Sequence, residues 1–175
     1  MTVTTDSREL AVRSIQIMAG GTPADFEAVG HPDARNLEDT SEPPASRGRG
    51  PVAFHATALW LRAAFADLAW EIHEVVADGD LIAVHATMSG RHTGTYVVYG
   101  PDARPAQAFP PTGRTFATTQ SHWLRVADGR VIEHWANRDD TGTATQLGWI
   151  PPSPGYLVRM ALALRHARRE AGRAR

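Results

Sequence analysis

The stretch from Asp128 to Asp140 ends in polar side chains whose types and spacing suit acid–base chemistry. Asp128-Gly129 lies between two strand-like runs and predicts a hairpin turn, because glycine readily adopts the positive φ of a tight turn. Side chains alternate between the two faces of the strand that follows. One face bears Trp135, Asn137 and Asp139, and the other bears His134 and Arg138. The first face therefore combines an aromatic wall, an amide donor and a carboxylate.

The strand before this hairpin offers two more polar side chains on one face, Gln120 and His122. We expect this face to look toward Asp139. Asp139 would then act as general acid/base, His122 would donate a hydrogen bond to a substrate carbonyl or enolate, and Gln120 would line the pocket. His122 could instead be a packed core residue. Asp139 could instead cap a helix or pair with Arg138, although Asp140 is the expected cap.

Further candidates for substrate contacts are His92, Trp60 and Asn36. His92 ends its strand and either reaches the pocket or caps the strand end at the surface, and we favour the second. Trp60 belongs to a predicted helix and Asn36 to a long loop. His134 is opposite in parity to Asp139 and is expected at a subunit interface or on the outer face. The histidines lack the paired spacing of a zinc site, so we expect no metal.

Composition excludes several kinds of chemistry. The chain has 175 residues, a formal charge of −1 and neither cysteine nor lysine. Thiol nucleophiles, thiolate metal sites and lysine Schiff bases are therefore absent. The charge gives no general attraction to nucleic acid or to an anionic membrane. Without a signal-like or 18-residue apolar segment, we expect a soluble, cytoplasmic protein of one domain over residues 1–175.

The hydrophobic pattern predicts helices first and strands afterwards. Helices are expected up to Gly20, from Thr22-Pro23, and over residues 51–66, with an irregular connection over residues 31–50. Strands are expected over residues 70–77, 81–92, 95–99, 114–126 and 130–139, with a loop over residues 100–112. A helical extension with a basic tail is expected over residues 154–175. This order favours an α+β fold in which a curved antiparallel sheet wraps over the helices.

Four short motifs in one order carry a family resemblance: Gly90-Arg91-His92-Thr93-Gly94, Pro110-Pro111-Thr112-Gly113-Arg114, Arg130-Val131-Ile132-Glu133-His134-Trp135 and Gln146-Leu147-Gly148. With Asp139 between the last two, roughly residues 10–150 resemble the SnoaL-like polyketide cyclases of the NTF2-like superfamily. The resemblance implies a cone-shaped α+β barrel with a deep apolar pocket, assembled as a homodimer or homotetramer. It also implies a cofactor-independent aldol closure of a hydrophobic polyketide ester in secondary metabolism, with Asp139 at the acid/base position.

Two other functions remain open, because superfamily members also include isomerases, epoxide hydrolases and proteins without chemistry. Epoxide hydrolysis would use an Asp/Arg/Asn set, and an inward Arg138 would favour it. A non-catalytic small-molecule binding protein would be favoured by an Asp139 that is exposed or engaged in capping. The sequence departs from the usual family pattern in its extended Gly100–Phe109 segment, in Thr141 and Thr143, and in some 25 residues after Gly148.

Overall fold

The computed structural model describes residues 5–173, which form five α-helices and seven strands. The helices are α1 (Thr5–Gly20), α2 (Pro23–Val29), α3 (Gly50–Ala64), α4 (Asp140–Gln146) and α5 (Pro154–Arg173). The strands are β1 (Gly30–Asn36), β2 (Phe65–Asp78), β3 (Leu81–His92), β4 (Tyr96–Tyr99), β5 (Pro105–Phe109), β6 (Thr115–Ala127) and β7 (Arg130–Arg138). Within the described part of the chain, no helix has the length and apolar character needed to cross a membrane.

Five strands form one curved sheet in the order β1-β7-β6-β3-β2, and β4 pairs with β5 in a separate two-stranded sheet. The α+β class and the curved sheet are as predicted. Apolar residues of the inner sheet face, including Ile82, Val84 and Leu124, pack with Ala11 and Ile15 of α1 in one buried cluster. Helices α1, α2 and α3 therefore face the inner side of the sheet, where the core and the candidate site lie.

Two segments predicted to be irregular contain strands. Residues 31–50 include β1, which pairs in parallel with β7, so the sheet is not wholly antiparallel. Residues 100–112 include β5, which pairs with β4. Proline obscured both strands in the sequence. Pro32 lies in an edge strand whose pairing with β7 is interrupted, and Pro105 is the first residue of its strand. Both are positions where a strand tolerates a missing N–H.

A β-bulge near the start of β7 changes which side chains face the core. Val131 pairs with Val126, but Glu133 pairs with the adjacent Arg125, so Ile132 is an extra residue on β7. A bulge of this kind shifts the alternation by one residue. The inner face therefore bears Val131, His134, Ala136 and Arg138, and the predicted inner face of Trp135 and Asn137 is wrong.

The C-terminal helix α5 attaches to the segment between β4 and β6. The hydroxyl of Tyr156 donates to the carbonyl of Pro110 at 3.0 Å, and Arg159 donates to the carbonyl of Pro111 at 2.8 Å. Farther along the helix, Arg168 donates to the carbonyl of Pro105 at 3.1 Å. Helix α5 is thus hydrogen-bonded, through residues near its start and farther along, to the residues that form β5 and directly follow it.

Candidate active site

A cavity of about 410 Å³ lies between the helices and the inner face of the sheet. Most of its wall is apolar, including Met18, Phe54, Leu61, Phe65, Phe109 and Trp149. Its polar groups include Asn36, Glu42, Gln120, His122, His134 and Arg138. A mainly apolar cavity with a few polar groups is the usual form of a small-molecule site.

Stacked aromatic rings form one side of this cavity. Trp60 stacks on Tyr96 with ring centroids 4.8 Å apart, and Tyr96 stacks on Trp149 at 5.4 Å. Phe109 continues the stack on Trp149 at 4.3 Å. The indole N–H of Trp60 donates to the carbonyl of Val97 at 2.9 Å, which fixes its ring. The wall is therefore flat, aromatic and contributed by α3, both short strands and the turn before α5.

A chain of polar side chains crosses another part of the cavity wall. His122 Nε2 lies 3.0 Å from Gln120 Oε1, and His122 Nδ1 lies 3.0 Å from His134 Nε2. His134 Nδ1 lies 3.3 Å from Asn36 Oδ1, and Asn36 Nδ2 donates to Glu42 Oε1 at 2.8 Å. Strands β6, β7 and β1 bring these groups together. A connected chain of this kind provides a route along which protonation of one group affects the others.

The two histidines of this hydrogen-bonded chain, His122 and His134, are neutral at neutral pH. Burial, followed by the charge of Arg138, lowers the pKa of His122 to about 4. Burial also keeps the pKa of His134 well below its ordinary value, with further contributions from His122 and Arg138. Desolvation disfavours the charged form of a buried imidazole. Each ring therefore has one proton, and the hydrogen bonds decide which nitrogen holds it.

The orientation of the Asn36 amide bears on where those protons lie. Asn36 Nδ2 faces the Glu42 carboxyl, and Asn36 Oδ1 accepts the Glu38 backbone N–H at 3.3 Å. One arrangement has His134 Nδ1 donating to Asn36 Oδ1 while its Nε2 accepts from His122, and the opposite arrangement has both rings protonated on Nε2. In the first arrangement His122 donates through Nδ1, and its unprotonated Nε2 faces Gln120 Oε1 at 3.0 Å. That arrangement makes His122 Nε2 a candidate proton acceptor.

Arg138 lies at the edge of the same polar region. Its guanidinium pairs with Glu38 at 3.3 Å and with Asp140 at 3.9 Å, and its side chain is 32% exposed. The sequence-based parity had placed it on the outer face, and the bulge in β7 explains the difference. Arg138 and Asp140 both line the cavity.

Tyr96 contributes a phenol to the cavity wall. Burial raises its pKa above the ordinary value, so the hydroxyl stays protonated at neutral pH. Within residues 5–173, no group is hydrogen-bonded to this hydroxyl. It is therefore a neutral donor available to a carbonyl oxygen of a bound molecule.

Asp139 has a different position from the one expected. It is the N-cap of α4, where its Oδ1 accepts the Gly142 backbone N–H at 2.7 Å, and it is exposed. The expectation that Asp140 caps this helix is therefore wrong. A Cβ at position 142 would lie 2.1 Å from Asp139 Oδ2, so the glycine is what allows the carboxylate to fold over the helix start. This exposed, capping position is the one expected to favour a non-catalytic binding protein, and the acid/base role of Asp139 stays a prediction.

Three other predicted substrate contacts lie away from the cavity wall. Trp135 stacks on Trp123 with ring centroids 6.3 Å apart, and Asn137 Oδ1 accepts from the indole of Trp123 at 3.2 Å, on the outer sheet face. His92 is fully buried rather than at the surface, and its ring contacts Phe65 in the aromatic cluster. Trp60, Asn36, Gln120 and His122 do line the cavity.

Sequence reasoning missed four groups of this site: His134, Arg138, Glu42 and Tyr96. The first two were assigned to the wrong face because the bulge leaves no mark in the alternation of β7. Glu42 belongs to a segment read as an irregular connection. Tyr96 lies in a predicted strand, but nothing in its neighbourhood marked the phenol as facing a cavity.

Comparisons with known proteins agree with this fold. The sequence model of the SnoaL-like polyketide cyclase family matches residues 12–147. Aklanonic acid methyl ester cyclase DnrD of Streptomyces peucetius is 36% identical over 107 residues, which are 61% of this chain and 67% of that protein. Nogalonic acid methyl ester cyclase of Streptomyces nogalater is 34% identical over 101 residues, which are 57% and 67%.

A solved structure shows the same architecture. TsrD from Streptomyces laurentii superposes with a TM-score of 0.68 at 23% identity, covering 85% of this chain and 98% of that chain. At this identity the likeness concerns the fold alone, and it confirms the predicted NTF2-like α+β class. The residues matched by the family include every strand of the sheet and end before α5. The chain belongs to the SnoaL-like polyketide cyclase family.

Proposed function

We propose that this protein closes a ring in an aromatic polyketide methyl ester by an intramolecular aldol reaction, with His122 as the general acid/base. The observation that supports His122 is its position in the buried chain of hydrogen bonds, where Nε2, which has no proton in the tautomer we propose, lies 3.0 Å from Gln120 Oε1. That contact lacks a proton in the neutral pair and becomes a hydrogen bond when Nε2 is protonated. All hydrogen bonds of this chain are therefore formed only after His122 has taken up a proton.

The reaction needs one proton acceptor and one proton donor and consumes no cofactor. His122 Nε2 removes a proton from a carbon between two carbonyl groups, and the electron pair of that C–H bond forms an enolate. The enolate carbon bonds to a ketone carbon of the same molecule, whose C=O electrons become an alkoxide. The imidazolium returns its proton to this alkoxide, so the atoms and charges of substrate and enzyme balance. A positioned acid/base group contributes roughly 10²- to 10⁴-fold to such a step.

The cavity suits the other requirement, which is to fold the substrate into a reactive shape. The stacked rings of Trp60, Tyr96 and Trp149 offer a flat surface for a fused aromatic ring system. The Tyr96 hydroxyl can donate a hydrogen bond to an oxygen that becomes negative in the enolate. The relatives whose names state a substrate are cyclases of aklanonic and nogalonic acid methyl esters, and this supports the substrate class. We infer a place in bacterial antibiotic biosynthesis on the same ground.

Epoxide hydrolysis is a second candidate function, and one observation favours it. Arg138 faces the cavity beside Asp140. In epoxide opening, the Asp140 carboxylate would orient a water molecule and the Arg138 cation would assist the epoxide oxygen. Both groups are ion-paired or exposed, whereas the histidine chain is buried. We therefore rank the cyclase reaction first.

Turnover by matched variants tests the proposal. Wild type, His122→Asn and the control His85→Asn are incubated with anthraquinone-type polyketide methyl esters, and ring closure is followed by chromatography. His85 lies on the outer face of the same sheet, where it contacts Ser121 at 3.0 Å. We expect His122→Asn to lose on the order of 10²-fold or more in kcat while His85→Asn keeps wild-type activity. Full activity of a folded His122→Asn would overturn the assignment, and turnover of aliphatic epoxides alone would favour the second candidate.

A further inference from the structure

The buried carboxyl of Glu42 has no part in the steps described so far. Glu42 is 5% exposed and lies in the turn after β1, at the end of the polar chain opposite to Gln120. We infer that Glu42 is a positioning residue, which acts through Asn36 to set the proton positions of His134 and His122 and to balance the proton that His122 receives. The inference rests on the proposed role of His122.

The contacts of Glu42 hold it in a defined orientation. Its Oε1 accepts from Asn36 Nδ2 at 2.8 Å, and its Oε2 accepts from the hydroxyl of Thr57 on α3. Burial raises the pKa of Glu42, whereas the Thr57 hydrogen bond, the Arg138 charge and the Asn36 hydrogen bond oppose that rise. Both carboxyl oxygens face donors, which is the arrangement that suits the ionised form.

An acceptor at this position gives the whole chain one direction. Because Glu42 accepts from Asn36 Nδ2, the amide presents its oxygen to His134, which favours the tautomer that donates through Nδ1. His122 then donates to His134, and every hydrogen bond from His122 to Glu42 runs toward the carboxylate. If the amide of Asn36 were reversed, its N–H would face His134 Nδ1, and His122 Nε2 would hold the proton. The carboxylate thus keeps the base unprotonated where substrate is expected.

The same chain stays satisfied when His122 gains a proton. Three contacts need one ring proton each. They are the contact between Asn36 and His134, the contact between the two histidine rings, and the contact between His122 and Gln120. Two neutral rings supply only two protons, and the proton from the substrate supplies the third. The pair then has one positive charge, which the negative charge of Glu42 balances within the cavity wall. Opposite charges attract strongly where water is excluded.

Other charges around the pair do not replace Glu42. Arg138 on β7 disfavours the imidazolium, and it is already paired with Glu38 and Asp140. Helix α3 presents the ring of Phe54 to His134, and β4 presents the neutral phenol of Tyr96 to the cavity. The remaining negative group near this region is Asp39, which raises the pKa of Glu42. Among the described residues, Glu42 is thus the carboxylate linked to the pair by hydrogen bonds.

Packing alone does not explain a carboxyl at this position. Burying a carboxylate costs free energy, and a glutamine could also accept from Asn36 and contact Thr57 without that cost. This comparison supplies the test, because Glu42→Gln keeps the shape of the side chain and removes its charge. Glu133→Gln is the matched control, since Glu133 precedes His134 on β7 but faces outward and pairs with Arg125.

Side-chain ¹⁵N spectra of the histidines between pH 2.5 and pH 8 report both proton position and pKa without any substrate. In wild type at pH 7 we expect His134 and His122 to be protonated on Nδ1. We expect Glu42→Gln to lower the pKa of the pair by about one unit, a roughly tenfold loss of proton affinity, with no shift in Glu133→Gln. The wild-type spectrum needs no variant, so the test stands even if Glu42→Gln does not fold.

Kinetics give an independent readout of the same effect. Glu42→Gln should lose roughly tenfold in kcat with little change in KM, and the acid limb of its pH profile should move to lower pH. His122 protonated on Nε2 in wild type at pH 7, or an unchanged pKa of the pair in Glu42→Gln, would overturn the inference. Failure to turn over any polyketide ester would count against the proposed function alone, because the spectra do not depend on turnover.

Discussion

Substitution of Asp139 by asparagine distinguishes a helix cap from a catalytic acid/base, because asparagine can cap a helix but cannot exchange a proton as a carboxylate does. Asn and Asp cap helices about equally well, whereas Ala at an N-cap costs about 1 kcal/mol. The Gly142 N–H is 2.7 Å from Asp139 Oδ1, which is a well-formed cap on a helix of seven residues. We therefore expect Asp139→Ala to lose about 1 kcal/mol and Asp139→Asn only a few tenths.

In a protein of this size about 1 kcal/mol corresponds to roughly 2–4 °C in Tm. Differential scanning calorimetry should show that shift for Asp139→Ala and a change of about 1 °C or less for Asp139→Asn. The same Asp139→Asn preparation should cyclise the polyketide ester at a rate within about threefold of wild type, because we assign the base to His122. If Asp139→Asn keeps its Tm but loses on the order of 10²-fold in kcat, Asp139 is the acid/base and our assignment of His122 fails.

Two further predictions concern the cavity wall and the aromatic cluster behind it. Tyr96→Phe keeps the ring stack and removes the donor, so kcat/KM should fall about tenfold while Tm stays close to wild type, and unchanged kinetics would exclude the hydroxyl from the reaction. Burial lowers the pKa of His92 to about 4, so protonation of this residue favours the unfolded chain. Stability linked to His92 is therefore complete above pH 6.5 and declines as the pH falls toward 4. Urea unfolding of wild type and His92→Phe over this range should show a smaller decline in the variant, and equal declines would contradict the buried neutral state.

Helix and strand positions followed from the sequence wherever local signals were strong. Thr22-Pro23 predicted the cap and first turn of α2, and the structure confirms Thr22 as the N-cap and Pro23 in the first turn. Asp128-Gly129 predicted the hairpin of β6 and β7, which also forms. Proline misled the analysis at β1 and β5, because single-sequence patterns cannot show that a strand lies at an edge or starts with proline.

The candidate site was harder to predict, for a geometric reason. His122 and Gln120 were assigned correctly to the inner face because β6 alternates without interruption. On β7 one extra residue at Ile132 reverses the pattern, and His134 and Arg138 move from the predicted outer face to the cavity. Glu42 joins the polar chain only through the path of the turn after β1. That contact depends on tertiary structure, and no spacing in the sequence encodes it.

The attachment of α5 separates two properties of the protein that evolution could change independently. The proposed base and its hydrogen-bonded partners lie on strands and a turn within the residues that match the family, whereas α5 lies beyond them. Through Tyr156, Arg159 and Arg168 this helix supports the segment bearing Phe109, which forms part of the aromatic wall. Substitutions along α5 can thus change the shape of the aromatic wall without altering His122 and its hydrogen-bonded partners, so ring fit and proton transfer are carried by separate parts of the proposed site.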